Sequence, residues 1–185
     1  MTTAPAAPAT RSRTPAPTTR PGIRADRPTV SDGPALWRIA RDTKTLDVNS
    51  PYSYLLWCRD FAGTSAVARD EAGRPVGFVT GYLRPDAPAT LLIWQIAVDA
   101  AARGQGVAGQ LLDHLTARVA AEHRIDGLET TISPGNTASE RLFASYAERH
   151  GARVTRKVLF AEEDFPGNAG AHEAEVLHRI APLSP

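Results

Sequence analysis

From residue 34 onward, apolar side chains recur with a strand period and a helix period in turn, and this alternation predicts a mixed α/β domain. One stretch carries an aliphatic residue at every fourth position, as an amphipathic helix does: Val107, Leu111, Leu115 and Val119. The longest apolar run, which only Gln95 interrupts, predicts a central strand with two apolar faces.

Caps and turn residues divide the same pattern into separate helices and strands. Ser50 and Pro51 suit the N-cap and first position of a helix, and Glu71–Arg74 suits the turn of a hairpin. The predicted strands are Ala35–Ala40, Thr64–Arg69, Pro75–Leu83, Thr90–Val98, Gly127–Ile132, Gly151–Leu159 and Glu175–Ile180. The predicted helices are Pro51–Arg59, Gly106–His123 and Thr137–His150.

The two ends of the chain have few side chains that could join a core. Residues 1–33 are mainly Ala, Pro, Thr and Arg, and Ile23 is the only large aliphatic residue between the initiator and Pro28, which predicts a disordered tail. An organelle transit peptide is the alternative, because Arg is present and acidic residues are scarce. The sequence therefore predicts a tail over 1–33, one domain over 34–181 and a short C-terminal tail over 182–185.

Charge and cysteine content exclude several classes of function. The 185 residues hold 21 Lys and Arg against 20 Asp and Glu, without the basic excess of a nucleic-acid-binding protein. Cys58 is the only cysteine, and no Cys/His group has zinc-site spacing, so neither a disulfide framework nor a metal site is predicted. No apolar run approaches the roughly 20 residues that cross a bilayer. We therefore expect a cytoplasmic protein without a nucleic-acid or membrane partner.

The segment with the most chemical information joins the central strand to the following helix, and it reads Arg103-Gly104-Gln105-Gly106-Val107-Ala108. The glycines allow the backbone to approach a ligand, the first N–H groups of the helix point at it, and Arg103 adds positive charge. The pattern therefore predicts an anion site. The chain has no P-loop motif, Gly-x-x-x-x-Gly-Lys-Ser/Thr. It also lacks the acidic residue at the end of the next strand that a dinucleotide-binding motif requires.

Two motifs resemble those of the GCN5-related N-acetyltransferase (GNAT) family. Val98-x-Ala100-x-x-Arg103-Gly104-x-Gly106-x-Ala108 resembles its acetyl-CoA-binding motif, and Asn136-x-x-Ser139-x-x-Leu142-Phe143 resembles its later motif. The resemblance implies the acyl-CoA N-acyltransferase fold, an α/β fold whose mixed, mostly antiparallel central sheet is flanked by helices. It also implies acetyl-CoA as co-substrate, without a metal, held by Ile96, Val98, Arg103, Gly104, Gln105, Gly106, Val107, Ala108, Asn136 and Ser139.

Further blocks narrow the resemblance: Asp47–Cys58, Phe61–Ser65, Gly77–Tyr82, Trp94–Gln95 and Leu128–Ile132. They resemble the subfamily that acetylates L-2,4-diaminobutyrate on the way to the compatible solute ectoine. This implies direct transfer of acetyl to the side-chain (4-) amine in a ternary complex, with the backbone N–H of Val98 polarising the thioester carbonyl, and a homodimer. Two alternatives stay open: transfer to another small amine or a protein N-terminus, and a non-catalytic acetyl-CoA sensor.

Acetyl transfer needs a neutral amine, whereas an alkyl ammonium with a pKa of about 10 keeps its proton at neutral pH. A carboxylate can take that proton, directly or through water, and can also select a dibasic substrate. The candidates are Asp47, Glu129 and Glu175, and Glu129 is the predicted catalytic base. The structural alternatives are a helix cap for Asp47 and a solvated strand face for Glu129.

Aromatic and titratable residues complete the predicted site. Tyr52 is expected in the pocket wall, while Trp94 is a core residue by default whose ring could instead contact a substrate ammonium. The resemblance implies that His172 and Glu175 contact the substrate. The family often has Tyr, which reprotonates the departing thiolate, where Phe143 stands. Either Tyr146 on the same helix takes this role or solvent does, and solvent is favoured because one helical turn displaces a side chain by about 5 Å.

Overall fold

A seven-stranded sheet with helices on both faces organises the part of the chain that the structure describes. The computed structural model describes residues 22–166 and 172–183, and none of their helices has the length and apolar character needed to span a membrane. The elements are β1 (Arg24–Asp26), α1 (Gly33–Thr43), α2 (Pro51–Asp60), β2 (Ala66–Arg69), β3 (Pro75–Arg84), β4 (Ala87–Val98), α3 (Val107–Glu122), β5 (Gly127–Ile132), α4 (Thr137–Arg149), β6 (Arg153–Phe160) and β7 (Glu175–Ala181).

The strands lie in the order β1-β2-β3-β4-β5-β7-β6. Among these described strands, the pair β4–β5 is parallel and the other pairs are antiparallel. The predicted mixed, mostly antiparallel sheet is therefore confirmed. Parallel neighbours need a long crossover connection, and α3 supplies it between β4 and β5.

Each face of the sheet has its own apolar cluster. The cluster under α3 and α4 contains Leu91, Leu111, Leu115, Leu128 and Phe143. The cluster under α1 and α2 contains Leu36, Ile39, Tyr54, Cys58 and Phe78. Burial raises the pKa of the Cys58 thiol to about 11, so this cysteine serves as a packed apolar side chain, as predicted.

The first predicted strand, Ala35–Ala40, is wrong, because these residues lie in α1. The buried positions Leu36, Ile39 and Ala40 are three and four residues apart, which is the spacing of a helix face. Pro34 occupies the first turn of α1, where its missing N–H costs nothing. A short apolar run does not by itself distinguish a strand from a helix. The other predicted helices and strands are confirmed, with ends that differ by a few residues.

Both predicted tail boundaries differ from the structure. Ala25 of β1 pairs with β2, and the buried Asp32 accepts two hydrogen bonds of 2.8 Å from the Arg69 guanidinium. Backbone pairing and an ion pair thus order a segment that composition alone describes as a tail. Leu183 is likewise buried, and its N–H donates to the Asp126 carbonyl at 2.8 Å. Residues 1–21 and 184–185 lie outside the described residues.

Candidate active site

A cleft opens where β4 and β5 separate. The two strands pair from Thr90 opposite Gly127 to Ile93 opposite Thr130. Beyond Ile93, β4 continues to Val98 with no β5 residue paired to it. One edge of β4 is therefore open to a ligand along its last residues.

A bulge in β4 marks the point of separation. On the β3 side, Thr80 lies opposite Gln95, whereas the next residue, Gly81, lies opposite Ile93. Trp94 is thus the extra residue in β4. A bulge bends its strand and increases the local twist, which helps to turn the end of β4 away from β5.

The backbone N–H groups of Ile96 and Val98 point into the cleft. The Asp99 N–H donates to the Val76 carbonyl at 2.8 Å, which identifies the edge of β4 that faces β3. Hydrogen-bonding groups alternate between the two edges along a strand, so the N–H groups of Ile96 and Val98 face the open edge. On that edge, the Nε of Arg103 donates to the Val98 carbonyl at 3.1 Å. Two backbone donors therefore face the space where a ligand carbonyl could bind.

The turn between β4 and α3 has an open backbone that an anion could approach. Gly104 and Gly106 have φ angles of 73° and 77°, which only glycine adopts readily. A Cβ at either position would meet no heavy atom within 4 Å, so the space beside the turn is open. Gln105 between them donates from its side chain to a carbonyl of the preceding turn at 3.1 Å. In the first turn of α3, Val107 and Ala108 have backbone N–H groups without acceptors in the helix.

The start of α4 forms another wall of the cleft. Asn136 is the N-cap of α4, and its Oδ1 accepts a hydrogen bond of 3.1 Å from the Ser139 N–H. Both residues border the same cavity as Phe143. The capping role of Asn136 is thus observed, while contact of Asn136 and Ser139 with the cofactor stays a prediction.

A cavity of about 660 Å³ begins at this cleft and reaches the loop before α2 and the start of β7. This volume lies in the range of small-molecule sites. No group of three His, Cys, Asp or Glu side chains suited to a metal ion occurs in the described part of the chain. The cavity brings together these predicted site residues: Asp47, Trp94, Ile96, Glu129, Asn136, Ser139, His172 and Glu175.

The predicted cofactor residues Val98 and Arg103–Ala108 lie beyond the lining of this cavity, and two further predicted site residues, Tyr52 and Tyr146, do not border it either. Tyr52 on α2 is 66% exposed. Tyr146 lies in the core under α3 and α4 with its ring stacked on His150, the ring centroids being 4.2 Å apart. Burial raises the pKa of Tyr146 to about 12. The structure therefore does not bring Tyr146 to the position of an acid for the thiolate.

Glu129 is buried between two arginines and does not lie on a solvated strand face. Its Oε2 accepts a hydrogen bond of 2.9 Å from Arg84 on β3, and its Oε1 accepts one of 3.1 Å from Arg179 on β7. Two guanidinium groups stabilise a buried carboxylate that would otherwise be costly. Sequence reasoning missed both arginines, because neither lies near Glu129 in the chain.

Asp47 and His172 meet at the mouth of the cavity. The Nε2 of His172 lies 3.7 Å from the Oδ2 of Asp47, whose side chain is 92% exposed. The His172 ring stacks on Phe165, with centroids 3.8 Å apart. The N-cap of α2 is Ser50, so the capping alternative for Asp47 does not hold.

Trp94 is 51% exposed and therefore not a core residue, in contrast to the default expectation. Its ring stacks on Trp57 of α2, with centroids 6.2 Å apart. Trp57 also contacts Phe61 and Tyr82, so Trp94 belongs to an aromatic wall beside the carboxylates. An aromatic face in this position can attract an organic ammonium.

An open β4 edge beside a parallel β5, followed by a glycine turn and a helix, defines the class of acetyl-CoA-dependent N-acetyltransferases. A sequence profile of the acetyltransferase (GNAT) family matches residues 34–147. The chain belongs to this family, and the predicted acyl-CoA N-acyltransferase fold is confirmed.

Several relatives carry a more specific name. The chain is 66% identical over 163 residues to an L-2,4-diaminobutyric acid acetyltransferase of Streptomyces avermitilis, covering 88% of this chain and 90% of the relative. It is 40% identical over 163 residues to the enzyme of that name from Halalkalibacterium halodurans, and the match covers 88% of this chain and 84% of the relative. A solved structure of diaminobutyrate acetyltransferase EctA from Paenibacillus lautus holds its substrate L-2,4-diaminobutyric acid and coenzyme A. It superposes on this chain with a TM-score of 0.81 at 40% identity, and the match covers 88% of this chain and 96% of that one.

Proposed function

We propose that this protein transfers acetyl from acetyl-CoA to the side-chain (4-) amine of L-2,4-diaminobutyrate, giving N4-acetyl-L-2,4-diaminobutyrate for ectoine biosynthesis. One observation carries the proposal: the cleft at the open edge of β4 is continuous with a cavity that holds three carboxylates, Asp47, Glu129 and Glu175. A substrate with two ammonium groups matches such a cavity. Relatives at 66% and 40% identity bear the name of this activity.

The residues of the cleft suit acetyl-CoA. The N–H groups of Ile96 and Val98 would pair with the pantetheine arm, and the turn from Arg103 to Ala108 would hold the pyrophosphate through backbone N–H groups and one guanidinium. Acetyl-CoA supplies the acetyl group as a thioester. A fixed N–H at Val98 would polarise the thioester carbonyl, since preorganised dipoles contribute strongly to catalysis.

The base that neutralises the attacking amine is Asp47 or Glu175 in this proposal. Both oxygens of Glu129 already accept hydrogen bonds from arginines, which suits Glu129 to holding a substrate ammonium by its charge. Asp47 and Glu175 have more open carboxylates at the cavity. Proton transfer through an intervening water is compatible with either residue.

Solvent reprotonates the departing thiolate in this proposal. Phe143 borders the cavity where many family members have Tyr, and a phenyl ring has no proton to give. Tyr146 is buried in the core. A thiol has a pKa of about 8.5, so water suffices as the proton source near neutral pH.

The substrate assignment is tested by measuring CoA release with L-2,4-diaminobutyrate, ornithine, lysine and 1,3-diaminopropane, and by locating the new amide with NMR. We expect kcat/KM for diaminobutyrate to exceed the others by at least about 100-fold, because each unmatched buried polar group costs roughly 1–3 kcal/mol. Equal rates for the four amines, or acetylation of the 2-amine, would contradict the assignment. Tight acetyl-CoA binding without turnover would instead indicate a sensor.

We further propose a homodimer formed through β6. This strand lies at the edge of the sheet and exposes Val158 and Phe160 by 59% and 48%. Apolar side chains on an open strand edge favour association. Light scattering after size exclusion should give twice the chain mass for the wild type and the single chain mass for Val158→Asp, and a monomeric wild type would exclude the dimer.

We also propose a cytoplasmic location. Cys58 is a free, buried thiol, as is usual in a reducing compartment, and the proposed co-substrate acetyl-CoA would be drawn from the cytoplasm. After cell fractionation we expect the protein in the soluble fraction, and its detection in the envelope fraction would contradict this location.

A further inference from the structure

Gln95 is a buried polar residue in the middle of β4 whose side-chain oxygen and nitrogen both form hydrogen bonds. It is 8% exposed and lies between Trp94 and Ile96. Trp94 belongs to the aromatic wall of the cavity, and the N–H of Ile96 faces the open edge of β4. Its Oε1 accepts a hydrogen bond of 3.0 Å from the Tyr54 hydroxyl. Its Nε2 donates to the Asp47 carbonyl at 2.9 Å.

The two partners of Gln95 lie on either side of the cavity wall: Asp47 borders the cavity, and Tyr54 lies behind it in the apolar cluster under α1 and α2. Tyr54 is 1% exposed in α2, and its ring packs edge-on against Phe78 of β3 with centroids 6.1 Å apart. The Tyr54 hydroxyl also contacts Asn49. Asp47 and Asn49 lie in the loop 44–50, which joins α1 to α2 and has no helix or strand of its own.

The loop 44–50 needs an external anchor to hold Asp47 in place. The Asp47 side chain is 92% exposed and meets His172 at 3.7 Å, a distance at which an ion pair exerts little geometric control. The Asp47 backbone, by contrast, is fixed to β4 by the Gln95 amide. The position of the Asp47 carboxylate relative to the open edge of β4 therefore depends on this hydrogen bond.

We propose that Gln95 is a positioning residue that holds the Asp47 loop at a fixed distance from the strand that presents the thioester. The inference rests on the proposed function, in which Asp47 contacts the amine and the end of β4 contacts the acetyl group. Gln95 links these two parts directly, since it lies on β4 itself and binds the loop through a single side chain. A displacement of about 1 Å in such a constellation can lower the rate about 100-fold.

The amide of Gln95 meets both partners with one donor and one acceptor. A peptide carbonyl accepts but cannot donate, so the atom that faces Asp47 must carry a hydrogen, and the Tyr54 hydroxyl donates to the other atom. In Gln95→Glu the carboxylate would still accept from Tyr54 but would repel the Asp47 carbonyl. Gln95→Met keeps the length of the side chain and removes both hydrogen bonds. Tyr54→Phe removes one partner and leaves the bond to Asp47.

The test compares these variants with Gln110→Met, a half-buried glutamine on α3 that does not border the cavity. For Gln95→Glu and Gln95→Met we expect kcat/KM for L-2,4-diaminobutyrate to fall about 10- to 100-fold, with kcat carrying most of the change because the amine is displaced from the thioester. The Kd for acetyl-CoA should stay within about twofold of the wild type, because the glycine turn is untouched. Tyr54→Phe should lie between the wild type and Gln95→Met.

Hydrogen exchange of residues 44–50, followed by mass spectrometry, gives a readout that is independent of turnover. We expect faster exchange in this loop for both Gln95 variants and unchanged exchange for Gln110→Met. Unchanged exchange and unchanged kcat with diaminobutyrate, or an equal loss of acetyl-CoA affinity, would overturn the positioning role. A wild type that binds acetyl-CoA and does not acetylate diaminobutyrate would refute the proposed function itself, and it would do so whatever the exchange of the loop.

Discussion

Replacing Tyr146 with Phe should leave acetyl transfer almost unchanged. Tyr146 is 1% exposed in the core under α3 and α4, and it does not border the cavity. Burial raises its pKa to about 12, so the phenol keeps its proton throughout the pH range of an assay. A general acid contributes about 100- to 10,000-fold to a rate, whereas solvent reprotonation predicts a kcat within about twofold of the wild type.

The same substitution should have a measurable effect on stability. The Tyr146 hydroxyl lies within hydrogen-bonding range of Thr116, and deleting one neutral hydrogen bond costs about 1 kcal/mol of unfolding free energy. For a domain of this size, that loss lowers Tm by about 2–4 °C. A normal kcat together with a lowered Tm would assign the hydroxyl to packing.

The assay measures CoA release with a thiol-reactive dye at saturating acetyl-CoA and diaminobutyrate, and circular dichroism gives Tm. Phe143→Tyr is the companion variant, because it returns a phenol to the wall of the cavity. If solvent suffices, this variant should raise kcat by no more than about twofold. A 100-fold loss of kcat in Tyr146→Phe with the fold intact would refute solvent reprotonation.

Two further predictions concern charged pairs. Glu129→Gln leaves Arg84 and Arg179 without their shared carboxylate. Because both arginines are 39% exposed and screened by water, we expect the free energy of unfolding in urea to fall by about 1–3 kcal/mol. A fall below about 0.5 kcal/mol would show that the pairs stabilise the fold little. For Asp32, burial raises the pKa, but hydrogen bonds from Arg69 and Thr29 more than offset it, so the pKa lies below its usual value. Its contribution to stability is present above about pH 3.9 and is lost as pH falls through the lower folded value. Asp32→Asn should therefore lose less stability on acidification than the wild type, and parallel acid unfolding curves for the two proteins would contradict this.

The glycine turn proposed to hold the cofactor, with its strand and helix, could be predicted from the sequence because the signals are local. The glycine turn between β4 and α3 occupies six consecutive residues, and the spacing of Gly104 and Gly106 matches the positive φ angles that the turn requires. The apolar run of β4 and the four-residue period of α3 likewise arise from neighbours in the chain. Short-range chemistry of this kind is directly visible in one sequence.

The acceptor half depends on contacts between distant segments. The arginine partners of Glu129 lie on β3 and β7, and His172 reaches Asp47 from the opposite end of the domain. No local pattern identifies such pairs. Gln95 did give a signal, since a polar side chain inside a buried strand needs partners, but its partners Tyr54 and Asp47 became visible only in the structure.

In the proposed function, the turn between β4 and α3 binds the pyrophosphate of acetyl-CoA. Calorimetric titration of acetyl-CoA into the triple variant R103E/G104E/G106E tests this most directly. Circular dichroism establishes that the variant has a native fold, and R103Q is the milder companion. Loss of two charge-assisted hydrogen bonds at roughly 1.5 kcal/mol each corresponds to about 100-fold weaker binding, so we expect at least that loss in the triple variant and a smaller one in R103Q. An unchanged Kd in a natively folded triple variant would contradict the claim.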